Sequence, residues 1–232
     1  MKITIDHLTE GASKAEGAAV IIDVFRAYTV ESCAFSRGIK RIYPVADIEM
    51  AYELKKENPS FLLAGERHMK KPEGFDFGNS PSEINNVQLD GREMIHTTSA
   101  GTQGIRAAVK ADTIFLAALV NARATAEYIK KMGFERVSLV CMGYENTRPT
   151  DEDTFCAEYI KAILEGKDNL FDKEKAVAVL KNGDGKRFFI PENQSFAPQS
   201  DFFLCTQFDV FPFAIKVEKD DLGRDISVKK DI

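Results

Sequence analysis

The sequence VIIDVFRAYTVES, residues 20–32, decides the fold that we expect. Its apolar start is typical of a buried strand, which stops at Asp23 and is followed by a helix. Asp23, Arg26 and Thr29 then lie at the carboxyl end of the strand, where open α/β sheets bind ligands. An acid, a guanidinium and a hydroxyl at such a place suit phosphate chemistry. An ordinary strand end with a helix-capping Asp would explain Asp23 equally well.

The same order of strand, polar loop and helix repeats along the chain. We predict further strands at residues 1–7, 41–45, 61–66, 92–98, 112–119 and 136–143, with helices after most of them. This alternation predicts a three-layer α/β/α fold with a mainly parallel or mixed sheet. We treat residues 1–232 as a single α/β domain, with a subdivision near residue 167 as the alternative.

The pattern is weaker after residue 167. A helix is expected within residues 168–183, and residues 201–218 are apolar throughout, so that helix and strand are not distinguished there. The tail, residues 220–232, is expected to be exposed or loosely attached.

Composition excludes several classes of protein. The chain has 232 residues, a net charge of −5 and a pI near 5.4, so it offers no basic surface for a nucleic acid. It contains no apolar run of the ~18 residues that a membrane span needs, and no secretion signal. The four cysteines form no CxxC pair, which argues against a zinc site. We therefore expect a cytoplasmic protein without nucleic-acid or membrane partners, and leave a homo-oligomer open.

Polar residues also follow three other predicted strands. They are Glu66 and Arg67; Thr97, Thr98, Ser99 and Thr102; and Glu152 and Asp153, which lie at the start of a helix. Because the carboxyl ends of parallel strands meet at one edge of a sheet, these residues are expected to share a cleft with Asp23. Asp153 has a second explanation, as the partner of Thr150 in a helix-capping box. Carboxylates without neighbouring histidine or cysteine favour Mg²⁺ over zinc.

The loop GFDFGNSPSEI, residues 74–84, is the most unusual segment. Asn79 and Ser80 offer hydrogen bonds to an anion, and Ser80 with Glu83 also has the spacing of a capping box. A cap does not explain Asp76, which we count among the candidate metal ligands.

Taken together, the motifs resemble those of the 2-phosphosulfolactate phosphatase family. The resemblance covers residues 20–162 and rests on VIIDVFRAYTV, LAGERHMKKPEGFDFGNSPSEI, TTSAGTQGI, ALVNARATAEYI and CMGYENTRPTDEDTFCAEYI in matching order. It implies a Mg²⁺-dependent phosphatase with an α/β/α fold, which removes phosphate from 2-phospho-3-sulfolactate on the route to coenzyme M. A related 2-phospho-hydroxyacid is the other candidate substrate.

This resemblance suggests roles for the candidate residues. Asp23 is either the nucleophile or a metal ligand, and Glu66 and Asp153 are metal ligands or general acid–base groups. The metal candidates are Asp23, Glu66, Asp76 and Asp153, and the anion-binding candidates are Arg26, Thr29, Arg67, Asn79, Ser80, Ser99 and Thr102. The alternatives are a non-catalytic binding protein for small anionic metabolites and a transferase that needs a second substrate.

Overall fold

The computed structural model describes all of residues 1–232. The strands are β1 (Lys2–His7), β2 (Gly17–Ile22), β3 (Arg41–Pro44), β4 (Leu62–Gly65), β5 (Glu93–Thr97), β6 (Ala111–Ala117), β7 (Arg136–Cys141), β8 (Phe213–Lys219) and β9 (Asp225–Asp231). The helices are α1 (Leu8–Lys14), α2 (Ala27–Ser36), α3 (Ile48–Glu57), α4 (Pro81–Ile84), α5 (Gly101–Ala107), α6 (Ala122–Met132), α7 (Asp151–Glu165), α8 (Lys173–Asn182) and α9 (Gln199–Cys205). Short 3-10 turns lie at residues 119–121, 168–170, 184–189 and 191–193.

All nine strands form one mixed sheet in the order β1-β7-β2-β6-β8-β9-β3-β5-β4. Strands β8 and β9 are antiparallel to their neighbours, and the other pairs are parallel. The predicted α/β fold with a mixed sheet is therefore confirmed. None of the helices combines the length and the apolar character that crossing a bilayer requires.

Strand β2 lies at the centre of the parallel block formed by β1, β7, β2 and β6. Its residues from Ala18 to Ile22 are all buried, since the strand has neighbours on both edges and packing on both faces. They belong to an apolar core of 50 buried residues. This packing fixes the end of β2 and therefore the position of Asp23, the residue that follows it.

The sheet is strongly curled. Five strand spacings separate β2 from β5 along the sheet, which would be about 24 Å in a flat sheet. The hydroxyl of Tyr28, just after β2, nevertheless donates to the backbone oxygen of Gly101, just after β5, at 2.8 Å. Only a single residue pair, Ile42 and Ser227, joins β9 to β3. The curl brings the carboxyl ends of distant strands together.

The expectation for the tail is wrong, because residues 225–231 form β9 inside the sheet. Ile226 and Ser227 are buried, and β9 pairs with β8 along its whole length. The adjacent charged residues Lys229 and Lys230 interrupt the alternation of apolar and polar residues that predicts a strand. Residues 201–218, for which the sequence did not distinguish helix from strand, contain most of α9 and, after a turn, most of β8.

Gly65, the last residue of β4, gives the first prediction. Its φ of +145° is accessible only to glycine, and a Cβ there would lie 2.0 Å from the backbone oxygen of Thr97. Replacement Gly65→Ala should lower the free energy of unfolding by about 3 kcal/mol or more, measured by urea denaturation.

Gly74→Ala is the matched control. Gly74 also has a positive φ, +76°, but nothing lies within 4 Å of its added Cβ. It should lose only about 1 to 2 kcal/mol, the strain of a left-handed residue. Equal losses in the two variants would contradict the close contact at Gly65.

Candidate active site

A cleft opens at the curled carboxyl edge of the sheet. The empty space inside it, open mouth included, is about 430 Å³, but the cleft is narrow, since only about 40 Å³ can hold the centre of a water-sized sphere. The lining residues come from six segments: Asp23, Phe25 and Arg26 after β2; Glu66 and Met69 after β4; Asn79 before α4; Ser99 and Ala100 after β5; Gly143, Tyr144 and Glu145 after β7; and Arg187 from the turn at residues 184–189. The structure thus brings together five of the predicted residues: Asp23, Arg26, Glu66, Asn79 and Ser99.

Asp23 is held close against the backbone around it. Its Oδ1 accepts a hydrogen bond from the Ala27 N–H at 3.2 Å, and a Cβ on Gly101 would lie only 3.0 Å from its Oδ2. Burial raises the pKa of Asp23 to about 6, and the neighbouring charge of Glu66 adds to the rise, while the Ala27 N–H and His96 oppose it. Asp23 can therefore both ionise and take up a proton near neutral pH.

Glu66 joins the loops that follow β4 and β5. Its Oε1 accepts from the Ser99 N–H at 2.7 Å, and its Oε2 accepts from the Met69 N–H at 2.9 Å. The Ser99 hydroxyl is 3.3 Å from the same Oε2. These bonds orient both Glu66 and Ser99 on the cleft wall.

Asp153 lies beneath the cleft and does not line it. Its Oδ1 accepts from the Val24 N–H at 2.9 Å and its Oδ2 from the Gly143 N–H at 2.8 Å, so it ties the loop after β2 to the loop after β7. The predicted capping box is wrong, because Asp153 reaches these loops instead of Thr150. The Thr150 hydroxyl is buried without a hydrogen-bond partner.

A second carboxylate, Glu152, lies next to Asp153 in the first turn of α7. It is 2% exposed, its Oε2 has no hydrogen-bond partner, and its Oε1 lies 3.6 Å from the Arg187 guanidinium. Burial raises the pKa of Glu152 to about 7. Burial also raises the pKa of Asp153 well above its usual range, and the charges of Glu152 and Asp23 add to this. Burying Glu152 and Asp153 below the cleft therefore lowers the free energy of unfolding.

Arg26 is fixed by a buried ion pair with Asp201 of α9. Its Nη1 lies 2.6 Å from Asp201 Oδ2 and 2.8 Å from the backbone oxygen of Phe196. The other oxygen of Asp201 accepts from the hydroxyl of Ser80 at 2.8 Å and that of Ser82 at 2.6 Å. Asp201 thus connects Arg26 to the loop before α4.

Ser80 lies behind Arg26 and is outside the cleft lining. The predicted capping box of Ser80 and Glu83 is wrong in its partners, since Ser80 donates to Asp201 and makes no capping bond. Glu83 Oε2 accepts from the Gly78 N–H at 2.9 Å. Ser80 is buried against α9, where the Asp201 carboxylate accepts its hydrogen bond. A hydrogen bond to a charged acceptor is stronger than one between the hydroxyl and a backbone N–H.

Three other predicted anion-binding residues also lie outside the cleft lining. The Thr29 hydroxyl donates to the backbone oxygen of Val24 at 3.0 Å, and that of Thr102 to the backbone oxygen of Thr98 at 2.9 Å. Arg67 donates at 2.7 Å to the hydroxyl of the last residue of β5. All three are committed to bonds within the protein that shape the loops around the cleft.

The structure separates Asp76 from the other predicted metal ligands. Phe77 pairs with Ala64 at the open edge of the sheet, and along such an extended segment the neighbouring side chains point to opposite sides. Asp76 is therefore exposed; its carboxylate accepts from the Leu63 N–H at 2.8 Å and lies 3.8 Å from Lys55.

The carboxylates of the cleft fit a metal ion that is only partly held by protein. No group of three or more His, Cys, Asp or Glu side chains is arranged to hold a metal. Asp23 and Glu66 both line the cleft, however, and Mg²⁺ is usually held by one or two carboxylates together with water and substrate phosphate. The donor set suits such a site and does not suit an all-protein cage.

Sequence reasoning missed Arg187, Tyr144 and Asp201. The Arg187 guanidinium lies 5.4 Å from the ring centre of Phe25 and 5.4 Å from that of Tyr144, which places it on the cleft wall. Arg187 and Asp201 come from the C-terminal segment, where no regular pattern points to a site. The available signal was a charged residue directly before an apolar run, as in KRFFI at residues 186–190.

The Arg26–Asp201 pair gives a prediction for stability. Asp201→Asn leaves the buried guanidinium without its counter-charge, so the free energy of unfolding should fall by about 3 kcal/mol or more in urea denaturation. The control Glu10→Gln breaks the exposed pair with Lys14 and should change it by less than about 0.5 kcal/mol. A similar small loss for Asp201→Asn would contradict the described role.

Glu152 gives a prediction for pH dependence. Its pKa is raised from 4.5 to about 7 in the folded protein, so its stabilising contribution is present below pH 4.5 and is lost as the pH rises through about 7. Glu152→Gln does not titrate. Its stability relative to wild type should therefore increase between pH 5 and pH 8 by about 3 kcal/mol, measured by denaturation without added metal.

The control for this prediction is Glu158→Gln, on the exposed side of the same helix. Its difference from wild type should stay nearly constant over this pH range. A constant difference for Glu152→Gln as well would show that the Glu152 carboxyl titrates normally.

Comparison with known proteins identifies the family. Residues 3–219 match the family model described as 2-phosphosulpholactate phosphatase. A probable 2-phosphosulfolactate phosphatase of Caldicellulosiruptor saccharolyticus is 37% identical over 183 residues, which is 76% of this chain and 75% of that protein. Proteins of the same name from Bacillus subtilis (32% over 203 residues, 87% of each chain) and Carboxydothermus hydrogenoformans (40% over 165 residues, 71% of this chain and 68% of that protein) are similar too. The chain therefore belongs to the 2-phosphosulfolactate phosphatase family of phosphoric monoester hydrolases.

Proposed function

We propose that this protein is a Mg²⁺-dependent phosphatase that hydrolyses 2-phospho-3-sulfolactate to 3-sulfolactate and phosphate. A related 2-phospho-hydroxyacid is the other candidate substrate, and 3-sulfolactate formation would serve coenzyme M synthesis. The observation that supports the proposal best is the position of Asp23, a buried acid that lines a cleft with Arg26 and Arg187 on its walls.

The cations of the cleft suit a substrate with several negative charges. The proposed substrate carries a phosphate, a carboxylate and a sulfonate, and guanidinium groups bind such planar or tetrahedral oxyanions through several donors. Arg26 is held by Asp201, and Arg187 by Glu152 and the aromatic rings beside it. Each guanidinium has five N–H donors, so these partners fix it and leave other donors for the substrate.

Asp23 would act on the phosphate directly or hold the metal. With a pKa of about 6 it is mostly ionised at neutral pH, as either role requires. Asp23 and Glu66 would hold Mg²⁺, which when bound would neutralise charge on the phosphate oxygens. The Ser99 hydroxyl donates its one hydrogen to Glu66 Oε2 at 3.3 Å, so it would orient this carboxylate beside the phosphate.

The loops after β4 and β7 would limit the access of water. They touch at two points, where His68 Nδ1 lies 3.3 Å from Glu145 Oε1 and the Tyr144 hydroxyl lies 3.7 Å from the Met69 sulfur. Met69, Tyr144 and Glu145 all line the cleft. Charged groups interact more strongly in a site from which water is excluded.

The cysteines support a reducing compartment such as the cytoplasm. All four are buried and unpaired, and disulfides are rare in reducing compartments.

A phosphate-release screen tests the proposal. Purified protein is incubated with a panel of 2-phospho-hydroxyacids that includes 2-phosphosulfolactate, with Mg²⁺ and with a chelator. Release that is fastest with 2-phosphosulfolactate, stops with the chelator and returns with added Mg²⁺ is the expected result. Tight binding of the panel without any release would favour the non-catalytic binding protein.

Asp23→Asn tests the role of the central acid. Removing a nucleophile or metal ligand should lower kcat by about 10³-fold, because several kcal/mol of transition-state stabilisation is lost. Asp76→Asn is the matched control, since its carboxylate is exposed and outside the cleft, and it should keep kcat within about twofold. Near-wild-type activity of a folded Asp23→Asn protein would refute the assignment.

A further inference from the structure

Behind the cleft wall, three buried polar side chains form a chain of hydrogen bonds. His96 Nδ1 lies 2.9 Å from Glu31 Oε1, and His96 Nε2 lies 3.3 Å from Asn79 Oδ1. His96 and Glu31 are fully buried, and Asn79, 6% exposed, lines the cleft. The chain runs from α2 through β5 to the loop before α4, and only its last member reaches the cleft.

The partners in this chain define which end of the Asn79 amide faces the cleft. Glu31 Oε1 is a carboxylate oxygen and Asn79 Oδ1 an amide oxygen, and both can only accept. These two bonds therefore require a proton on each ring nitrogen of His96, which pairs with Glu31 as an imidazolium. Asn79 Nδ2 makes no hydrogen bond within the protein and is not among the buried atoms that lack a partner. Its open side is therefore the cleft, and it presents two N–H donors there.

We infer that Glu31 and His96 are positioning residues that turn the Asn79 amide group so that its Nδ2 donates to an oxyanion of the substrate. The ligand class is a tetrahedral oxyanion, the phosphoryl group of the substrate or the phosphate product. This inference rests on the proposed function, because it assigns part of the substrate contact at the same cleft.

Packing alone does not explain Glu31 and His96. A carboxylate and an imidazolium without access to water are costly to bury even as a pair, and Glu31 Oε2 has no hydrogen-bond partner at all. Apolar residues of similar size would fill the same space without that cost. A hydrogen-bonded pair at the back of a binding group does have one clear effect, which is to fix the orientation of that group.

The orientation of the amide matters because its two ends have opposite effects on an anion. With Nδ2 in the cleft, Asn79 attracts phosphate oxygens without adding a charge. With Oδ1 in the cleft, its partial negative charge would repel them. Without the His96 Nε2–H, nothing within hydrogen-bond distance would favour the first orientation over the second.

A double-mutant cycle separates positioning from a general structural effect. The variants are His96→Gln, Asn79→Ala and the two combined, and the dissociation constant of inorganic phosphate is measured by calorimetry at a fixed Mg²⁺ concentration. His96→Gln alone should weaken phosphate binding about 10-fold, which corresponds to about 1.4 kcal/mol. In the Asn79→Ala background it should change binding less than about twofold. Equal factors in both backgrounds would overturn the inference.

A second variant keeps the test decisive if His96→Gln fails to fold. Asn79→Asp retains an acceptor for His96 Nε2 and removes the amide donors, so it should fold and bind phosphate at least about 10-fold more weakly. Wild-type affinity in a folded Asn79→Asp protein would overturn the inference.

Ser32→Ala controls for loosening of α2. Ser32 follows Glu31 in this helix, and its hydroxyl donates only to the backbone oxygen of Tyr28. It should leave phosphate affinity unchanged. The binding measurements need no turnover, so they remain informative about Asn79 if the wild-type protein fails to release phosphate from 2-phosphosulfolactate. That failure would refute the proposed function alone.

Discussion

The two hydrogen bonds that Asp153 accepts from backbone N–H groups are the constraint on which the cleft depends. One comes from Val24 and the other from Gly143, so a single carboxylate sets the distance between the loop after β2 and the loop after β7. Asp23 and Phe25 lie on the first loop, and Tyr144 and Glu145 on the second. Glu66 does the same for the loops after β4 and β5. The site is thus assembled from loops that acids hold together, on a sheet that curls to bring them close.

This arrangement concentrates negative charge where the proposed substrate is an anion. The protein offsets it in two ways. Arg26 and Arg187 are buried or nearly so beside Asp201 and Glu152, which keeps two cations within the site. Burial also raises the pKa of Asp23, Glu152 and Asp153, so part of the acidic cluster is protonated near neutral pH. A cleft with buried acids and arginines lowers the free energy of unfolding when no ligand is bound. Preorganised polar sites commonly have this effect.

Much of the fold could be predicted from the sequence, because the strands and helices of the first 166 residues carry clear periodic patterns. Asp23, Glu66 and Ser99 were predicted to meet for a general reason, since parallel strands end at one edge. The partners of Ser80 and Asp153 could not be predicted, because a local capping box and a long-range bond use the same residue types. Asp201 is separated from Arg26 by 175 positions in the sequence, and Arg187 from Phe25 by 162. No local pattern reports contacts of that range, and β9 was missed because charged residues at the chain end hid its alternation.

The different depths of Asp23 and Asp153 explain how two neighbouring acids can have different roles. Both pKa values are raised by burial, but that of Asp23 rises only to about 6, whereas that of Asp153 rises well above its usual range. Burial raises the pKa of Asp153 most, and the charges of Glu152 and Asp23 add to the rise. Both oxygens of Asp153 accept backbone N–H groups below the cleft, so Asp153 holds two loops together and does not face the substrate space. Asp23 then remains as the ionised carboxylate at the cleft surface, the form that can attack phosphorus or hold a metal ion.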